Sequence, residues 1–143
     1  MPAVRRYAEG TKVSAESSRG EITGILAKHG VARMGWMADP DGDQLMFELA
    51  GGQYRLAITK PTMAEVRRDY PNAYDPQAKL DGEWRRRWRA NVLLLKAKLE
   101  FIDSGDTTIE RELMPYRVLK DGRTLEQALV DGGLPMLSAG AEA

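Results

Sequence analysis

Leu45-Met46-Phe47-Glu48-Leu49-Ala50-Gly51-Gly52-Gln53-Tyr54-Arg55-Leu56-Ala57-Ile58 is the stretch that decides the fold. Apolar residues alternate with polar or small ones on both sides of a paired glycine, which is the period of a half-buried strand and the punctuation of a tight hairpin. A two-residue turn at Gly51-Gly52 sets Leu49 opposite Tyr54, Phe47 opposite Leu56 and Leu45 opposite Ile58, all on one face. The other face then receives Glu48 opposite Arg55. The strands are expected at 44–50 and 53–60. A third strand is expected at 33–38, through Met34 and Trp36, closed by the turn Asp39-Pro40-Asp41-Gly42.

Helices flank this meander. Ser18 and Glu21 have the spacing of a capping box, so a helix is expected from Ser18 to His29, with Gly30 as its stop. Leu80, Trp84, Trp88, Val92, Leu95, Leu99 and Ile102 recur every three or four residues, which predicts one long helix over 79–104, ended by Gly105. Pro61, Pro71 and Pro76 make 61–78 read as a loop with one helical turn near Met63–Arg68. Thr107 with Glu110 and Thr124 with Gln127 predict two short helices, with a fourth strand at Tyr116–Leu119 between them. The fold class is α+β: a short helix, a three-stranded antiparallel meander, a long helix on the sheet, and a short C-terminal strand and helix. The 143 residues suit one domain, with 1–17 and 132–143 expected to be loosely ordered.

Composition excludes several chemistries. There is no cysteine, hence no disulfide framework, thiolate metal site or cysteine nucleophile. The only histidine, His29, falls at a helix end, where a cation suits the helix dipole. Asp39, Asp41 and Asp43 alternate as calcium ligands do, but Gly42 is misplaced for a calcium loop and no glutamate closes it. No glycine-rich phosphate loop occurs. We therefore assign no catalytic residue, no metal and no cofactor. No apolar run approaches the roughly 20 residues of a membrane span, and Arg5-Arg6 are not followed by the apolar core of a secretory signal. No membrane partner is expected.

Charge is the strongest functional signal. Residues 1–54 carry 6 basic and 7 acidic side chains, 55–98 carry 11 and 5, and 99–143 carry 4 and 9. The basic excess centres on Arg85-Arg86-Arg87-Trp88-Arg89. Guanidinium groups bind phosphate oxygens in pairs, and neighbouring aromatics can stack on bases. The phosphate contacts expected from sequence are Arg85, Arg86, Arg87, Arg89, Lys96 and Lys98, with Arg55 and Lys60 as additions. Trp84 and Trp88 share the apolar stripe and read as core.

Three stretches resemble a family of small uncharacterised proteins encoded by bacteriophages, prophages and other mobile elements of bacteria. They are Tyr7-Ala8-Glu9-Gly10-Thr11 through Ser18-Arg19-Gly20-Glu21-Ile22, Arg87-Trp88-Arg89-Ala90 through Lys96-Ala97-Lys98-Leu99-Glu100, and Val118-Leu119-Lys120-Asp121-Gly122-Arg123-Thr124. The 61–78 segment departs from that pattern. The resemblance implies a mobile-element origin and a bacterial cytoplasm. The order of elements also resembles, at fold level, the core of single-strand annealing recombinases. The expected function is nucleic-acid binding, for example of single-stranded DNA as an annealing accessory. The alternative is a protein-binding module such as an inhibitor of a host defence enzyme. A homo-oligomer is compatible with either.

Overall fold

The computed structural model describes residues 5–132, and it is α+β in the expected order. Helix α1 (Ala15–Lys28) precedes strands β1 (Arg33–Asp39), β2 (Gly42–Leu49) and β3 (Gly52–Thr59), which form one antiparallel sheet in the order β1-β2-β3. Helices α2 (Met63–Asp69), α3 (Pro76–Asp103), α4 (Ile109–Leu113) and α5 (Leu125–Gly132) follow.

Sheet and helices meet over one core. Leu45, Phe47, Tyr54, Leu56 and Ile58 point to the helical side and are buried. They meet Trp88, Val92, Leu95 and Leu99 of α3 and, from α1, Ile22 and Leu26. Trp88 is fully buried, and Trp84 packs half-buried against the same cluster. Among the described residues, the opposite face of the sheet, with Gly35, Met37, Met46, Arg55 and Ala57, has no helix layer comparable to the α1/α3 side.

The hairpin register differs from the expected one. Leu49 pairs with Gly52, Phe47 with Tyr54, Leu45 with Leu56 and Asp43 with Ile58. The turn is therefore Ala50-Gly51, with φ of 49° and 79°, the two positive values that a type I′ turn requires. Gly52 is a strand residue for a tertiary reason. A Cβ there would lie 2.1 Å from the Arg117 guanidinium, which sits over the Tyr54 ring at 5.6 Å. The slide is two residues, so every side chain keeps its face, and Phe47 stacks on Tyr54 with centroids 5.4 Å apart. The expected Glu48–Arg55 pair is replaced: Glu48 lies beside Arg33 of β1, and Arg55 donates to Gln127.

Other boundaries move for local reasons. Ser14, not Ser18, caps α1, accepting from the Ser17 amide at 3.1 Å, which frees the small Ser18 to be buried within the helix. Residues 61–78 are mostly helical: Thr62 caps α2 and Asp75 caps α3, which begins at Pro76, where a missing N–H costs nothing. Thr108 rather than Thr107 caps α4, because the Thr107 hydroxyl donates to Glu112. Thr124 and Gln127 form the expected reciprocal capping box. The expected fourth strand is reduced to two isolated bridges, Tyr54 with Arg117 and Val118 with Thr124, because the chain makes a 3-10 turn at Met114–Tyr116 and reverses after Leu119. Residues 5–13 are held rather than loose: Arg6 reaches Asp69 and Glu83, and Arg86 donates to the Tyr7 carbonyl. Residues 133–143, expected to fray, lie outside the described residues. No described helix is long and apolar enough to cross a membrane.

Candidate anion-binding site

The arginine run on α3 is not a contiguous free surface. Arg86 and Arg87 both grip Glu83, one turn back on the same helix, at 2.7 Å and 2.9 Å. Arg87 also donates to Glu65 of α2 and to the Thr59 carbonyl at the end of β3, each at 2.9 Å. Arg6 adds a third guanidinium to Glu83 at 3.2 Å and reaches Asp69 at 3.0 Å. Arg89 is engaged by Glu21 of α1. This is a knot of charge-assisted bonds that ties the N-terminal segment, α1, α2 and the end of β3 to α3. Burial works to raise the Glu83 pKa, but the hydrogen bonds from Arg86 and Arg87 outweigh it and hold the carboxyl below its ordinary value. Asp69 is also held low, first by its hydrogen bond from Arg68 and then by that from Arg6.

The other expected contacts are scattered. Lys98 pairs with Glu112 at 3.2 Å. Lys60 lies over the Trp84 ring at 5.7 Å. Arg55 belongs to the far face of the sheet. Lys96 is exposed and lines no part of the cleft described below.

Arg85 points elsewhere and leads to a site that the sequence did not single out. A cleft of about 500 Å³ opens between the N-terminal segment, the end of α2 and the first turns of α3. Arg5, Arg6, Lys12, Lys79, Arg85 and Arg86 line it, against only Glu9 and Glu83. Arg6 and Arg86 are occupied by the Glu83 knot, and Arg5 is loosely matched to Glu9 at 3.9 Å. Among the described residues, Lys12, Lys79 and Arg85 have no carboxylate within 4.0 Å. Tyr70 forms an aromatic wall, with Lys79 Nζ 4.8 Å from its ring centroid. Such a cleft can capture an oxyanion by charge-assisted hydrogen bonds from several directions.

Of the eight expected contacts, only Arg85 and Arg86 line this cleft. Arg5, Arg6, Lys12, Lys79 and Tyr70 were missed, because they lie far apart in sequence and only the fold of the N-terminal segment against α3 gathers them. The Arg5-Arg6 pair and Lys12 were the one available hint.

The acidic turn and the histidine have structural roles. Asp39 Oδ1 accepts the amides of Asp41 and Gly42. Asp43 is buried and pairs at 2.8 Å with Arg19, whose guanidinium lies 5.1 Å from the Trp88 ring and 5.6 Å from Trp36. His29 caps α1, with its ring enclosed between Asp103 and Glu100 of α3.

No family model, curated protein or solved structure matches the chain.

Proposed function

We propose that the protein binds nucleic acid, as an accessory protein of phage or prophage type acting in a bacterial cytoplasm, and that its phosphate contacts are made in the cleft between the N-terminal segment and α3. One observation carries this reading: Lys12, Lys79 and Arg85 line a cleft of about 500 Å³ without carboxylate partners among the described residues, while the neighbouring cations are taken up inside the fold. That volume falls in the range of roughly 300–1,000 Å³ typical of small-ligand sites. It accommodates a flexible single strand of a nucleotide or two, not the breadth of a duplex. Tyr70 offers the wall against which a base could stack.

The test is fluorescence anisotropy of a labelled single-stranded oligonucleotide across a salt series. Three phosphate contacts imply a log–log salt slope of about 2 for a single strand. Reversing Lys79 and Arg85 to Glu should abolish most of the binding and flatten the slope. An absence of binding at low salt rejects the reading, as does binding that survives the reversal with its slope intact.

A second reading, a protein-binding module such as an inhibitor of a host enzyme, is favoured by the sheet face that no described helix covers, where Met37 is 51% exposed. Binding there would depend weakly on salt.

A further inference from the structure

The two edges of the sheet are treated differently. At β3 the chain supplies its own cover: the Val118 amide donates to the Gln53 carbonyl at 2.8 Å, and Arg117 bridges to Tyr54. Along β1, among the described residues, no backbone group accepts or donates a hydrogen bond on the side away from β2. Exposed edges are ordinarily blunted by lysine, proline or a bulge. Met34-Gly35-Trp36-Met37-Ala38 contains none of these, and its pairing to β2 is regular throughout. We propose that this edge pairs with β1 of a second copy of the chain, antiparallel and centred on Trp36, joining two sheets into one.

The register follows from geometry and charge. The two-residue turn Pro40-Asp41 makes Asp39 and Gly42 a hydrogen-bonded closing pair. Asp39, Met37, Gly35 and Arg33 therefore direct their amides to β2, while Met34, Trp36 and Ala38 direct theirs outward. A two-fold axis at Trp36 sets Trp36 against Trp36 and Met34 against Ala38. All of these are outward-directed residues, and each pair exchanges both of its N–H···O=C bonds. The same register brings Arg33, whose side chain is 80% exposed, opposite Asp39 of the second copy, and does so at both ends. It also sets the exposed Met37 opposite Gly35, where open space surrounds the missing side chain. A slide of two residues in one direction puts Arg33 against Met37, and in the other carries it past the strand end.

This inference goes beyond the nucleic-acid reading and is independent of it. The chain has no cysteine, so single substitutions report the register directly. Gly35→Cys and Met37→Cys are prepared separately, mixed and oxidised. The mixture should form a disulfide-linked dimer in clear excess over either variant alone, because 35 faces 37 across the axis and not itself. In sedimentation velocity the unmodified protein should pass from monomer to dimer with rising concentration. Arg33→Glu should shift that transition to at least tenfold higher concentration while the circular dichroism spectrum stays unchanged. Ala38→Pro, which removes only an outward-directed amide, should do the same. A protein that stays monomeric at every concentration overturns the proposal. So does a dimer that forms in both variants as in the parent, or a mixed disulfide no more abundant than the self-linked ones.

Discussion

Two sets of basic side chains share the same stretch of α3 and its surroundings, and they do opposite work. Arg86, Arg87 and Arg89 were the core of the most basic run in the sequence, yet each is engaged by a carboxylate of its own fold. Lys12, Lys79 and Arg85 are spread over the chain, yet they meet at one cleft with no such partner among the described residues. The comparison teaches that a run of like charge measures what a segment carries, not what it can offer. A guanidinium satisfied by two or three oxygens contributes to the fold; only an unsatisfied one is left for a ligand.

The held set should show itself first in stability. Asp43→Ala leaves the half-buried Arg19 guanidinium against Trp36 and Trp88 without its carboxylate, and should cost about 2–3 kcal/mol in chemical denaturation. Glu83→Gln weakens the bonds of Arg6, Arg86 and Arg87 at once. It should cost about 1–3 kcal/mol while raising the affinity of the cleft for a phosphate ligand, since two of those guanidiniums line it. Opposite signs in the two measurements would confirm that one carboxylate divides the two sets; a fall in both would break the comparison.

Acid should erode the knot around Glu83. Glu83 and Asp69 bind protons more weakly in the folded chain than in the unfolded one. Their contribution to stability is therefore complete above the ordinary carboxylate range, about pH 4. It is lost as pH falls through their lower folded values. Thermal melts between pH 6 and pH 2 should show the decline, and Glu83→Gln should make it shallower.

The smallest effects on stability belong to the free set. Lys79→Glu with Arg85→Glu should change unfolding free energy by no more than about 0.5 kcal/mol each, while removing anion binding. Lys96→Ala should alter neither quantity measurably, because that side chain lies outside both the knot and the cleft. Conversely, reversing Arg87 to Glu would set three carboxylates together, the new one with Glu83 and Glu65, and should destabilise the fold before it says anything about binding.

Local pattern was enough for the three strands and the long helix. Alternation in 44–58 and the stripe from Trp84 to Ile102 each follow from one short periodicity, and burial of Trp88, Val92, Leu95 and Leu99 follows with it. The Thr124 and Gln127 box and the stop at Gly30 are likewise chemistry within a few residues. The register of the hairpin was not, because Gly51 and Gly52 offer the same local freedom, and the choice between them was made by Arg117, which lies 65 positions further along. Both registers bury the same side chains, so hydrophobic alternation could not separate them. The candidate site was hidden for the same kind of reason. Whether an arginine is free depends on carboxylates brought from Glu21, Glu65 and Asp69 by packing, and ionic contacts at 3 Å have no periodicity along the chain. Sequence by itself determined the meander, the first helix and the long helix and which of their faces are apolar, since these rest on interactions between near neighbours, but not the helix at Met63–Asp69 or the fate of the segment at 116–119. Only the tertiary structure decided which charges are spent, which edge of the sheet is left open and where the cations converge, since each of these depends on groups that meet only after the chain has closed on itself.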